Sequence, residues 1–133
     1  MAIGVLLAFW QLIVTERLAQ LRFEDGLAKE YRDLAAKIPT QVFYGDNLSE
    51  KDFDDARDQF FRYFDLSNEQ VSLRAHGRIS STVWVSWRDG IKYNLNLPAF
   101  KRAWEEVKTR TGSFSELRRL EDAEFNSDPR TWH

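Results

Sequence analysis

Ala2-Ile3-Gly4-Val5-Leu6-Leu7-Ala8-Phe9-Trp10-Gln11-Leu12-Ile13-Val14 carries a single polar side chain, and at Thr15-Glu16-Arg17 the chain turns charged. The apolar period runs past that boundary. Ile3, Leu7, Trp10, Val14, Leu18 and Leu21 step by three or four, the spacing of one helix face. Leu27, Tyr31, Leu34 and Ile38 continue it on a rotated stripe until Pro39, which cannot extend a helix. The pattern predicts one helix of nearly forty residues, about 55 Å long, more than a small domain can cover. Part of it must project, and the apolar end is the candidate. Gly26 costs about 1 kcal/mol against Ala inside a helix, which makes it the candidate position for a kink or a break.

Residues 2–14 as a helix cover roughly 20 Å, against a hydrocarbon core of about 30 Å. Three readings follow from that shortfall. The membrane segment begins upstream of Met1, or the helix enters a membrane or membrane complex only part way, or it is a soluble helix buried in an oligomer or against its own domain. A signal peptide fits worse, since no Lys or Arg precedes the run and Leu18-Ala19-Gln20 is no small-x-small site. Arg17, Arg22, Lys29 and Arg32 all follow the run, so a spanning helix is expected to leave the C-terminal part in the cytoplasm.

The remaining elements also read as helices. Pro39 to Leu48 is expected to be a loop. Ser49 caps a helix bearing Phe53, Ala56, Phe60 and Phe64, which ends near Gly77, with Asp65 to Asn68 a candidate break. After Ser80-Ser81-Thr82 come Trp84, Trp87, Ile91 and Leu95 at helical spacing. Val83, Val85 and Trp87 also alternate as in a strand, but nothing strand-like exists to pair with them. Pro98 opens a helix carrying Phe100, Trp104 and Val107 that stops at Gly112. Ser113-Phe114-Ser115-Glu116 reads as a capping box for a last helix with Leu117 and Leu120. The tail from Asn126 holds a Pro and little else.

The expected fold is all-α: a long N-terminal helix, 1–38, with its apolar anchor at about 1–16, followed by a helical domain, 39–133, built as an irregular bundle of three to four shorter helices. At 133 residues, with ten Phe, five Trp and four Tyr, the chain can close one core.

Several chemistries are excluded or weakened. There is no cysteine, hence no disulfide, thiol catalysis or zinc–thiolate site. Nineteen basic against 21 acidic residues leave no cationic excess for nucleic acid. His76 and His133 lack partners at metal-ligand spacing. Neither has an Arg four to six residues before it, as helical HEPN-type ribonucleases do. The glycines are scattered singly, without a phosphate loop or a nucleophile elbow. Asp54-Asp55, Glu105-Glu106 and Glu121-Asp122 point about 100° apart on a helix and read as solvated faces. No cofactor or metal is expected.

One stretch resists this reduction. Asn68, Glu69, Gln70, Arg74, His76 and Arg78, followed by Trp84, Trp87, Arg88 and Asp89, set polar heads beside large aromatics. They read either as a packing network, with Glu69 and Asp89 the acids near Arg74 and Arg88, or as a tryptophan-walled pocket holding a small anion or peptide carboxylate through Arg74 or Arg88.

The stretch from Tyr63-Phe64-Asp65-Leu66-Ser67-Asn68-Glu69-Gln70 to Arg74, His76, Gly77 and Arg78 resembles an uncharacterised bacterial family. So does Gly90-Ile91-Lys92-Tyr93-Asn94-Leu95 with Pro98-Ala99-Phe100 and Trp104. The resemblance covers most of the chain and implies a short protein with one N-terminal membrane segment and a helical soluble part. It brings no catalytic residues. The expected function is a membrane-tethered, non-enzymatic accessory or scaffolding subunit, its partner a membrane or membrane-protein complex met through residues 1–16. The alternatives are a soluble homo-oligomeric interaction protein and a small enzyme or ligand-binding domain using residues 68–89.

Overall fold

Gly26 leaves the first helix unbroken. The computed structural model describes residues 2–132, with side chains from residue 3 onward, and α1 runs continuously from Ala2–Ala35. A Cβ on Gly26 would meet nothing within 4 Å, so the glycine faces open space. After α1 come α2 (Thr40–Phe43), α3 (Glu50–Ala75), α4 (Ser81–Leu95), α5 (Pro98–Arg110), α6 (Ser115–Asp122) and a closing 3₁₀ turn, Pro129–Thr131. No strand occurs among the described residues, and 82–87 is helix. Trp84, Ile91 and Leu95 share the buried face of α4 while Val85 stays outside.

The 26 residues of α3 make it a second long helix, and it touches α1, α4, α5, α6 and the 3₁₀ turn. Its start matches expectation: Ser49 Oγ accepts the Asp52 N–H at 3.2 Å, with Glu50 and Asp52 in the first turn. No break falls at 65–68, because Leu66 and Ser67 extend the buried stripe. The end is set by Gly77 at φ +73°. The Arg130 guanidinium lies 3.0 Å from where a Cβ there would sit and could shift aside, so it is the backbone conformation that demands glycine. Phe53, Phe60 and Phe64 of α3 meet Phe100 and Trp104 of α5 in the core, with ring centroids 5.0 Å apart for Phe60–Phe100 and 4.9 Å for Phe64–Trp104.

Three expectations give way. The loop at 39–48 contains the single helical turn α2, whose Val42 is fully buried. The capping box at Ser113 does not form. Phe114 takes the N-cap position in left-handed backbone, φ 66°, with its ring against Phe61 at 5.1 Å, and the Leu117 N–H is met by Asn68 Oδ1 at 2.9 Å. A side chain from α3 caps α6 in place of a local one. The tail is not idle either. Pro129 is fully buried, and Trp132 donates to Ser127 Oγ at 2.7 Å beneath the Arg119 guanidinium. His133, expected to be loose, lies outside the described residues.

The two buried tryptophans differ in one respect. Trp104 Nε1 donates to Glu121 Oε2 at 2.7 Å, and Lys108 holds the other oxygen at 2.8 Å, whereas the Trp84 indole N–H has no partner. Both Trp→Phe changes remove the same volume, but only one breaks a bond to a carboxylate. Trp104→Phe is therefore expected to cost about 1.5–3 kcal/mol more than Trp84→Phe in urea unfolding, and Trp104→Ala about 3–5 kcal/mol in total. Equal midpoints for the two Phe variants would show that the Glu121 contact contributes nothing.

Candidate functional site

Glu24 marks where α1 joins the domain. It is 5% exposed, and its Oε1 accepts the Ser80 N–H at the start of α4 at 2.8 Å and Gln20 Nε2 at 3.3 Å. The carboxylate sits at the positive end of the α4 dipole, which offsets its burial. From there inward Leu27 and Ile38 are buried, with Tyr31 and Leu34 packed on the core. Outward the helix has no cover: Ile3 is 74% exposed, Trp10 63% and Leu21 50%. This is one helix near the N-terminus long and apolar enough to cross a membrane, with none of its apolar stretch buried.

The docked half builds a cleft of about 330 Å³ with α3 and α4, lined by Tyr31, Arg32, Gln70, Trp87, Gly90 and Asn94 among others. Asn94 is 4% exposed, and its Nδ2 donates to Tyr31 at 3.2 Å and to Tyr63 at 3.1 Å, joining three helices. Burial pushes the Tyr63 hydroxyl well above the usual tyrosine pKa, with Asn94 acting in the opposite direction. Gln70, 6% exposed, has no hydrogen-bond partner among the described residues.

Of the polar stretch, Gln70 and Trp87 line this cleft. Asn68 caps α6. Glu69 is exposed on the α3 surface, its pKa raised first by partial burial and then by Glu30 and Asp65. Arg74 reaches the tail, not Glu69. Its Nη2 and Nε donate to the two Asp128 oxygens at 2.8 and 2.9 Å, and its Nη1 to the Ile79 carbonyl at 2.9 Å. His76 ends α3, with Nδ1 2.7 Å from the Ser72 carbonyl. Trp84 is in the core. Arg88 pairs with Asp89 at 3.0 Å on the surface. These residues do not converge on one ligand-sized space, and neither Arg74 nor Arg88 reaches the cleft.

Asn94, Tyr31 and Arg32 were not singled out from sequence as site residues. Asn94 carried a signal, since it interrupts the apolar face Ile91-Leu95 much as Gln70 follows Tyr63 and Ser67 on the apolar stripe of α3. A polar residue on a buried face implies a partner or an opening. Among the described residues no group of three or more His, Asp or Glu gathers as a metal site. No family model, curated protein or solved structure matches the chain.

The two arginines separate in a test. Arg74→Met strands Asp128 and the Ile79 carbonyl, for an expected loss of about 1–3 kcal/mol once water around the half-exposed Asp128 is allowed for. Arg88→Met should stay within about 0.5 kcal/mol. The Arg74 fork holds the Asp128 carboxyl below its ordinary pKa. That contribution is complete above about pH 4 and fades as pH falls through the depressed value. Asp128→Asn should accordingly flatten the stability loss seen on acidification below pH ~4; unchanged acid melts would show the pair to be inert.

Proposed function

We propose that the chain is a membrane-tethered helical module, a non-enzymatic accessory or scaffolding subunit held at the cytoplasmic face by the outer half of α1. The observation that carries this reading is the division of one unbroken helix at Glu24: residues beyond it pack on the core, and residues 3–14, apolar but for Gln11, are exposed or nearly so. Apolar area left in water on that scale marks a surface that meets a membrane or a partner. Arg17, Arg22, Lys29 and Arg32, all on the domain side, support the cytoplasmic placement.

Fractionation tests it. The full chain should stay with membranes through a high-salt wash; recovery in the supernatant as a homo-oligomer would favour packed N-terminal helices instead. Deleting residues 1–16 removes no buried residue among those described, so the truncated protein should be soluble, monomeric and as helical by circular dichroism as its remaining length allows. Aggregation or lost cooperativity would place the segment in the fold and sink the tether.

A second reading, a ligand-binding domain, draws support from the unpartnered Gln70 amide in the cleft. Gln70→Leu removes that amide without adding bulk, so a ligand using it would bind measurably worse to a protein of unchanged melting temperature.

A further inference from the structure

We propose that Arg17, Arg22 and Arg78 form a cationic collar around α1 that seats the domain on anionic lipid headgroups. The inference rests on the tethered reading and adds the class of lipid.

The collar is a product of folding. Glu16, Ala19, Gln20 and Phe23 line one hollow with Gly77 and Arg78, so the turn between α3 and α4 stands beside the helix where it leaves the domain. At about 100° per residue these four positions share one face, and Arg17 and Arg22 fall about 110° to either side of it. Arg78, brought by the turn, occupies that face. Three guanidinium groups thus surround the helix at roughly even angles. Along the axis Arg17 and Arg22 are about 7.5 Å apart, close to the depth of one headgroup layer.

The three arginines are exposed and make no ion pair among the described residues. The acids nearby are few. Glu24 is turned inward onto the Ser80 N–H. Glu16 shares the hollow with Arg78, and Asp25 lies on the domain side of the band. The residues just outside the collar, 3–14, are apolar and exposed or nearly so, as a segment in hydrocarbon would be. Cations at the inner boundary of such a segment meet headgroup phosphates, and the matching lipid surface carries net negative charge.

The test uses full-length protein and vesicles of phosphatidylcholine alone or mixed with phosphatidylglycerol. The chain should partition into both and prefer the anionic vesicles by about tenfold or more at low salt, each arginine contributing roughly fivefold, with the preference shrinking as salt rises. Arg78→Gln is the decisive variant, since only the fold puts this residue near the helix. It should lose about fivefold on anionic vesicles and nothing on neutral ones, with an unchanged melt. Arg78→Lys should retain the preference. Equal partitioning into both vesicle types, or an Arg78→Gln variant as selective as the parent, would overturn the collar and leave the tether intact. Absence from both vesicle types would overturn the tether, and the collar with it.

Discussion

The Glu24 carboxylate, accepting the Ser80 N–H at 2.8 Å, fixes the boundary between the two lives of α1. A carboxylate at 5% exposure needs compensation, and the first turn of α4 supplies it with an oriented N–H and the positive end of a helix dipole. The same contact sets the phase of α1 against the domain. With Glu24 turned inward, Leu27, Tyr31 and Leu34 follow at the three- and four-residue spacing that keeps them on the core. Asn94 closes the docking by donating to tyrosines on α1 and α3 together.

Around that joint α3 organises everything else, because it presents aromatics on one side and polar caps on the other. Its Phe60 meets Phe100 of α5 edge to face and its Phe64 meets Trp104 at a tilt, which leaves α5 little freedom to rotate. Its polar residues finish other elements: Asn68 caps α6, and Arg74 ties down the 3₁₀ turn and the carbonyl of Ile79. The polar stretch that the sequence left open between a packing network and a pocket is largely used up in this way. A guanidinium already forked onto a carboxylate and bonded to a carbonyl has little capacity left for a ligand.

What the sequence made legible was local. The stripes of α1, the caps at Ser49 and Ser80, Pro98 in the first turn of α5 and the helical character of 82–87 all follow from spacing and backbone chemistry within a few residues. What it hid was long-range. Nothing near Asp128 announces that it will meet Arg74, 54 positions away, and nothing near Arg78 places it beside Gln20. The box at Ser113 failed for a related reason: Phe114 has a ring surface to bury against Phe61, and Asn68 was available to cap the helix once Phe114 went left-handed. Of the polar stretch, Gln70 and Trp87 belong to the cleft. Asn94 was readable as a polar residue on an apolar face, a signal weaker than the charged cluster beside it.

The outer half of α1 finds no matching surface within its own chain. The large apolar side chains that the domain leaves exposed, Tyr44, Phe61, Val85 and Tyr93, come from three different segments. Exposed apolar residues of this kind are ordinary on any protein surface. Residues 3–14 are of another order, a run in which Gln11 is the one polar side chain and exposed Val, Leu, Ile, Phe and Trp crowd the helix surface. A soluble surface helix shows one apolar stripe facing its core, whereas a helix apolar all round is matched to surroundings that are apolar all round. Folding back onto the domain would cover one side and leave the others wet, whereas the lipid phase proposed here would cover every side without requiring a complementary shape.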